Sequence, residues 1–454
     1  MEFEFDEKTS KMFEEEKMGK LLFMMSVPVI FAIIISAIYN IADTIYIGRS
    51  VGTLGVAGIS IGFPIQLMIN SLGLLIGMGG SSVISRALGK KDVGRANSTI
   101  GMTFLIGIVM YVLILLATMP FFETLIVGLG ANSDVAPYAA EYLRIVIPGS
   151  VFILLAIGVG NLFMAQGKPE LAMMQLVVGA ILNIALDPIF IFVFNMGVSG
   201  AAIATVISQG LSFVMVLYLQ FSNKTSLTPK IKDFITVKFR VIGEILALGT
   251  PAFLQEVGAS ILIIVVNNVI NRIGGISTTL LIAVFGIMNK LLIFLITPLI
   301  GIAQGFMPIA GYNYGAKNYE RIKEAFKTAC ISAFLSTLVI VGLVIIFPTF
   351  VLSLFTKDAD LIKAGIAPLR IIYMALPFVT FNVMAAMYFM GIGKAMPAAV
   401  VSLSRQVIIL IPLLLILSSF MGLTGLWISF PIADVLSVVF AMVWMKKEMQ
   451  SIDS

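Results

Sequence analysis

The sequence predicts an all-α polytopic membrane protein, with twelve transmembrane helices arranged as two parallel-repeat six-helix bundles. Three observations carry that prediction. The composition excludes water as the solvent for the surface, twelve apolar stretches have membrane-spanning length, and a set of motifs recurs at nearly constant offset.

Hydrophobic residues make up 59% of the 454 positions and charged residues only 12%, with a mean hydropathy of +1.07. A soluble domain carries about 25% charged residues. Apolar helices can face lipid while satisfying their own backbone hydrogen bonds, which makes the bilayer the natural solvent. Histidine is absent and Cys330 is the single cysteine. This excludes histidine triads, histidine metal sites, CxxC redox motifs and an intramolecular disulfide. Proton chemistry therefore falls to carboxylates. No G-x-x-x-x-G-K-[ST] phosphate loop occurs, so no ATPase is expected. No cofactor and no enzymatic activity are anticipated either. The net charge of +5 calls for no nucleic-acid partner, because the basic residues sort by membrane side.

Residues 1–20 mix acids and bases, from Glu2, Glu4 and Asp6 to Lys17 and Lys20. A cleavable signal would be basic, then apolar. The segment reads as a cytoplasmic amphipathic leader. Stretches long enough to cross the hydrocarbon core, about 20 residues each, follow at 21–47, 54–84, 98–120, 136–158, 170–194 and 198–221. A polar stretch intervenes, and six more spans follow at 243–271, 278–307, 325–349, 364–390, 396–419 and 423–445. The expected organisation is an N-terminal lobe at 21–221, a cytoplasmic linker at 222–242, a C-terminal lobe at 243–445 and a cytoplasmic tail at 446–454. With the N-terminus inside, 21 of the 29 Lys and Arg fall on the cytoplasmic side, including Arg86, Lys90, Lys91 and Arg95 in loop 2–3. Only Arg49, Arg272, Lys357 and Lys363 fall outside. Such an asymmetry orients both termini to the cytoplasm of a cell inner membrane.

The halves echo each other. Phe163-Met164-Ala165-Gln166-Gly167-Lys168 returns as Phe389-Met390-Gly391-Ile392-Gly393-Lys394, and Leu88-Gly89-Lys90-Lys91 as Tyr314-Gly315-Ala316-Lys317. Met196-Gly197-Val198-Ser199-Gly200 returns as Met421-Gly422-Leu423-Thr424-Gly425, and Ser26-Val27-Pro28 as Gly249-Thr250-Pro251. Six spans per half make the repeat parallel, with its pseudo-twofold axis along the membrane normal. Two such bundles frame a cleft that rocking can open to either side, which is transporter geometry; a duplicated receptor or scaffold is the competing reading.

Charges inside spans are costly and are functional candidates. Asp43 lies deep in span 1 near Asn40. Asn183 and Asp187 lie four apart, on one face of span 5. Pro188 frees the carbonyl near residue 184, and Thr205 adds an oxygen from span 6. Two carboxylates with amide and hydroxyl oxygens suit either a proton-accepting pair or a hard-cation site for Na⁺; the alternative is a structural aspartate bonded to a neighbouring Asn. Function is favoured for both aspartates because no base lies nearby in sequence. Glu256, Asn267, Gln304 and Lys290 are candidates for a substrate cavity. Arg405 and Asp434 suit a structural ion pair, and Pro28 a hinge.

The segment Gly301-Ile-Ala-Gln-Gly-Phe-Met-Pro-Ile-Ala-Gly-Tyr-Asn-Tyr-Gly-Ala-Lys317 resembles span 8 and the following loop of the multidrug and toxic compound extrusion (MATE) family. Ser404-Arg405-Gln406-Val407 resembles its span 11, and the stretches around Asp43 and Asp187 resemble spans 1 and 5 of its bacterial multidrug-exporter and DinF-like branches. The likeness covers nearly the whole chain. It implies V-shaped lobes around a central cleft, exporting amphipathic organic cations in exchange for H⁺ or Na⁺. It also implies a cation site at Asp43, Asn183, Asp187 and Thr205, and a bend at Pro28. Span 10 has no acid where the NorM branch carries an aspartate. A lipid-linked sugar transporter of the same superfamily would need more basic residues in its cavity than Lys290 and Arg405. The expected partners are the small-molecule cations and the lipid bilayer, with the protein acting as a monomer.

Overall fold

The structure, a computed structural model, describes residues 7–222, 224–273, 275 and 278–453. The first six residues of the expected leader and Ser454 of the expected tail lie outside them. Among the described residues every regular element is helical: α1 (Glu7–Glu15), α2 (Met18–Ser50), α3 (Thr53–Gly89), α4 (Val93–Thr118), α5 (Phe122–Gly128), α6 (Ala136–Ala165), α7 (Pro169–Pro188), α8 (Gly197–Phe221), α9 (Ile231–Ile235), α10 (Phe239–Ile273), α11 (Thr278–Gly315), α12 (Tyr319–Ile346), α13 (Pro348–Ser353), α14 (Ala359–Tyr373), α15 (Leu376–Ile392), α16 (Ala395–Leu403) and α17 (Ile411–Asp453).

Ten of these helices or continuous helical runs are long and apolar enough to span a membrane. An eleventh crossing is α14 with α15, bent by 45° where Pro377 in the first turn of α15 cannot continue the ladder. The last helical run, Ala395–Glu448, is interrupted at Gly422, whose φ of 57° and ψ of −133° are non-helical. That break separates spans 11 and 12 and completes twelve crossings. The spans carry large exposed apolar side chains, such as Phe23, Leu116, Tyr218, Val339 and Phe420. Helices apolar on all faces belong in lipid or in a large core.

The repeat is conformational as well as sequential. After α3, Lys91 adopts φ 59° and Asp92 N donates to Ala87 O at 2.8 Å. After α11, Lys317 adopts φ 60° and Asn318 N donates to Asn313 O at 2.8 Å. Asp92 and Asn318 then cap the next helices, accepting from Arg95 N at 2.9 Å and Arg321 N at 3.3 Å. After α6 and α15, Gly167 (φ 70°) and Gly393 (φ 89°) close matching helix ends, with Lys168 N→Phe163 O at 2.9 Å and Lys394 N→Phe389 O at 2.8 Å. These are Schellman-type closures. Each pair lies at the offset of 226 read from the sequence.

Two compact units emerge. One comprises Met1–Glu16 with Val27–Gly249, the other Lys17–Ser26 with Thr250–Ser454. Counting spans places the division in the polar stretch 222–242. By packing, the two units part within α2 and α10, at Ser26/Val27 and Gly249/Thr250, each just before a proline of the repeated Ser-Val-Pro/Gly-Thr-Pro motif. The first turns of each half's leading helix therefore pack with the other unit. Glycines make those packings close. A Cβ on Gly79 of α3 would lie 2.0 Å from Ile245 O, and one on Gly249 would lie 1.8 Å from Leu75 O. In the second unit a Cβ on Gly305 would lie 2.6 Å from Ser26 Oγ and 3.0 Å from the Met25 carbonyl carbon. Gly79 and Gly305 are again 226 apart.

The polar stretch after α8 is not slack. Asp233 in α9 accepts from Ser98 Oγ at 3.1 Å and from Lys230 N at 2.9 Å, while Lys238 Nζ donates to Ser98 Oγ at 2.6 Å. A Cβ on Gly101 would meet Asp233 O at 2.0 Å, so this segment lies directly on α4.

Candidate functional site

Within the N-terminal unit, four helices line a small polar cavity, and a fifth, α7, adjoins it through Thr205. Helix α2 contributes Tyr39, Asn40 and Asp43, α3 contributes Gln66 and Asn70, α6 contributes Tyr142 and Ser150, and α8 contributes Thr205 and Gln209. From α7, Asn183 Nδ2 donates to Asp187 Oδ1 at 3.2 Å and to Thr205 Oγ1 at 3.4 Å. Asp187 is fully buried, Asn183 and Thr205 nearly so. Asp43 and Asp187 lie within electrostatic reach of each other, and Tyr39 lies within reach of both. The structure thus brings Asp43, Asn183, Asp187 and Thr205 into one place. Asn40 lines the cavity, but its Nδ2 donates to Ser36 O at 2.7 Å, back along its own helix.

The local sequence explains the arrangement on α7. Pro188 has no N–H to give, so the carbonyl one turn earlier, at Ile184, loses its helical partner. A π-helical turn, Ile189–Val193, follows directly; such turns cluster at functional sites. Asp187 is thereby held at the end of a regular helix, four residues after the Asn that bonds to it.

Acceptors outnumber donors here. Asp43 Oδ1, Asn183 Oδ1, Asp187 Oδ2 and Gln209 Oε1 are buried oxygens that accept no hydrogen bond from the protein. A buried acceptor without a donor costs roughly 1–3 kcal/mol, so four together form a strongly cation-seeking set. No Lys or Arg is among the residues lining the cavity. The cavity measures about 60 Å³. One water takes ≈ 30 Å³ of liquid and drug-sized ligands need roughly 300 Å³ or more. The space therefore fits an ion or a proton with water, and is too small for an organic substrate. Oxygen donors of this kind suit Na⁺ and equally a proton shared between carboxylates.

Gln66, Tyr142 and Gln209 did not stand out in the sequence. Gln66 Nε2 donates to the Tyr142 hydroxyl at 2.6 Å, a bond between residues 76 positions apart. The available signal was an uncharged amide in an apolar span, at Gln66 and Gln209.

The C-terminal unit holds a second cavity of about 60 Å³, lined mostly by apolar and aromatic groups such as Phe285, Met288, Tyr373 and Phe430, with Asn289, Arg405 and Gln406 as its polar lining. Arg405 Nε donates to the fully buried Asp434 Oδ1 at 2.7 Å. Arg405 is the second residue of the π-helical turn Ser404–Leu410, which Asn382 braces by donating to Ser404 Oγ at 3.0 Å, Val401 O at 3.3 Å and Ser437 O at 3.2 Å. Of the residues proposed for a substrate cavity, Glu256 and Lys290 are exposed, Gln304 is half-buried, and Asn267 keeps a buried Oδ1 without a donor. None of the four lines this cavity. Asn289, the neighbour of Lys290, does. Pro28 lies inside α2 two residues past the point where that helix changes unit.

Comparison with known proteins agrees with the two-part helical fold. The MatE family model matches residues 28–189 and 251–416, one segment in each half. The chain is 27% identical over 448 residues to the multidrug export protein MepA of Staphylococcus aureus (strain MSSA476), covering 97% of each chain. It is 28% identical over 431 residues to MepA of Staphylococcus haemolyticus (strain JCSC1435), covering 95% of this chain and 94% of that one. Among solved structures, an outward-facing multidrug resistance MATE family transporter of the MOP superfamily superposes with a TM-score of 0.91 at 26% identity, covering 98% of this chain and 99% of that one. With the model matching well over half of the sequence, and both halves alike, the chain belongs to the MatE family.

Proposed function

We propose that this protein is a cation-coupled antiporter that exports amphipathic organic cations by alternating access, with H⁺ or Na⁺ as the coupling ion at Asp43, Asn183, Asp187 and Thr205. The observation that carries the proposal is the surplus of buried acceptor oxygens in the N-terminal unit. Relatives along the whole length that are named multidrug export proteins support the class of substrate.

The mechanism follows from charge. Two aspartates with no basic partner attract one small cation or proton. An organic cation approaching the same field gains most when those carboxylates are free, and least when they are already neutralised. Each ligand therefore weakens the other, and the coupling is reciprocal. Substrate entering from the cytoplasm displaces the ion, and ion entering from outside displaces the substrate. The cavity itself is ion-sized, so the substrate senses its charge from outside it.

The test is dye efflux from proteoliposomes under imposed pH and Na⁺ gradients applied separately. Asp187→Asn and Asp43→Asn should each abolish gradient-driven efflux while the protein still inserts and purifies normally. Undiminished efflux in both variants would overturn the coupling site.

A further inference from the structure

On the Lys/Arg-rich face of the N-terminal unit, α3, α4 and α10 surround a cavity of about 370 Å³ whose charged lining is Arg86, Lys90, Arg95, Arg240 and Glu244. One acid therefore stands against four bases. Glu244 accepts from Arg86 Nη2 at 2.9 Å and also from Arg95 Nη2, so its single charge is shared by two guanidinium groups. Lys90 and Arg240 line the same cavity with no acid in ion-pair range among the described residues. A neighbouring groove continues the surface past Arg95, Lys238, Phe239 and Arg240. Its one acid, Asp92, is engaged as the cap of α4, accepting from Arg95 N.

A second, independent observation lies beside this basic surface. The segment leading into α10 is polar in composition, yet it exposes Ile231 (78%), Ile235 (72%) and Phe239 (81%). Ile231 and Ile235 stand four apart on α9, on one helical face. Large apolar side chains at that level, next to clustered bases, match a segment lying in a membrane interface. Basic pockets at the membrane surface bind anionic head groups, and arginine and lysine supply charge-assisted hydrogen bonds to phosphate oxygens.

We propose that this cavity binds the phosphate of an anionic phospholipid, with Lys90 and Arg240 as the groups that grip it, and that Ile231, Ile235 and Phe239 seat the adjoining segment among the lipids. The bound phosphate supplies negative charge to Lys90 and Arg240, and ties α3, α4 and α10 together. The site is separate from the ion cavity and does not depend on the transport reading.

The full-length protein is placed in phosphatidylcholine nanodiscs containing increasing fractions of phosphatidylglycerol, and its melting temperature and the phosphatidylglycerol it retains by native mass spectrometry are measured. Wild type should melt higher as phosphatidylglycerol is added and should keep bound lipid. The double variant Lys90→Gln/Arg240→Gln should weaken retention roughly tenfold or more, the loss of two charge-assisted contacts. The control Lys446→Gln/Lys447→Gln, which removes equal charge elsewhere, should behave as wild type. Retention counts remain readable even if the test variant melts lower in pure phosphatidylcholine. Equal retention in the test variant, or an equal loss in the control, would overturn the site. If inorganic phosphate alone reproduces the stabilisation in phosphatidylcholine discs, the lipid assignment is overturned.

Discussion

Replacing Gly249 by Ala tests the packing that positions the first unit. The added Cβ would lie 1.8 Å from Leu75 O, with two further backbone atoms of Leu75 within 2.9 Å. Ordinary contact begins at 3.4 Å, so α10 and α3 must separate by about 1.6 Å at their crossing. Side-chain motion gives no relief, because the three nearest atoms are all main chain. Inserting one methyl into a close-packed interior typically costs about 1–3 kcal/mol, and a backbone-limited contact belongs at or above the top of that range. Gly243→Ala provides the internal control. It lies on the same helix with nothing within 4 Å of its added Cβ, so it should stabilise by about 0.5–1 kcal/mol through helix propensity alone. Thermal melting of the two purified variants, followed by loss of monodisperse protein on size exclusion, should shift in opposite directions. Equal melting temperatures for Gly249→Ala and Gly243→Ala would refute the close-crossing argument.

The remaining predictions concern other parts of the chain. Asp434→Ala leaves the Arg405 guanidinium without its buried partner and should destabilise by about 3–5 kcal/mol. The double variant Arg405→Met/Asp434→Leu should recover most of that loss, as read by the same melts. Gly422→Ala meets no steric obstacle but forces a side chain to φ 57°. A cost of about 1–3 kcal/mol, visible as a lower melting temperature, is expected from backbone strain alone.

The number of spans was legible because each is a long apolar run, and the repeat was legible because its turns reuse the same residues. Lys91 and Lys317, or Gly167 and Gly393, repeat in sequence because they repeat in conformation. The polar residues that the structure brings together in the N-terminal unit were visible in the sequence as residues: a charge in an apolar span such as Asp43 or Asp187 is conspicuous, and Asn183 sits one turn from Asp187. What sequence could not supply was rotation and crossing. Asn289 lines the C-terminal cavity while Lys290 faces out, a difference of one residue, which on a helix turns the side chain by roughly 100°. Gln66 and Tyr142 meet only because α3 and α6 pack along their lengths. The change of unit inside α2 and α10 leaves no break in hydropathy, since both helices stay apolar and helical across it. Only the prolines of the repeated motif mark the place.

In the proposed cycle a small cation and the organic substrate exclude each other through the carboxylates of the N-terminal unit. The most direct measurement adds an organic cation to the purified protein in weakly buffered solution and follows ion release, by a pH indicator for H⁺ and by radiolabelled sodium for Na⁺. Substrate addition should release one of these ions from the wild type and neither from Asp43→Asn/Asp187→Asn. Ion release of undiminished size from the double variant would contradict it.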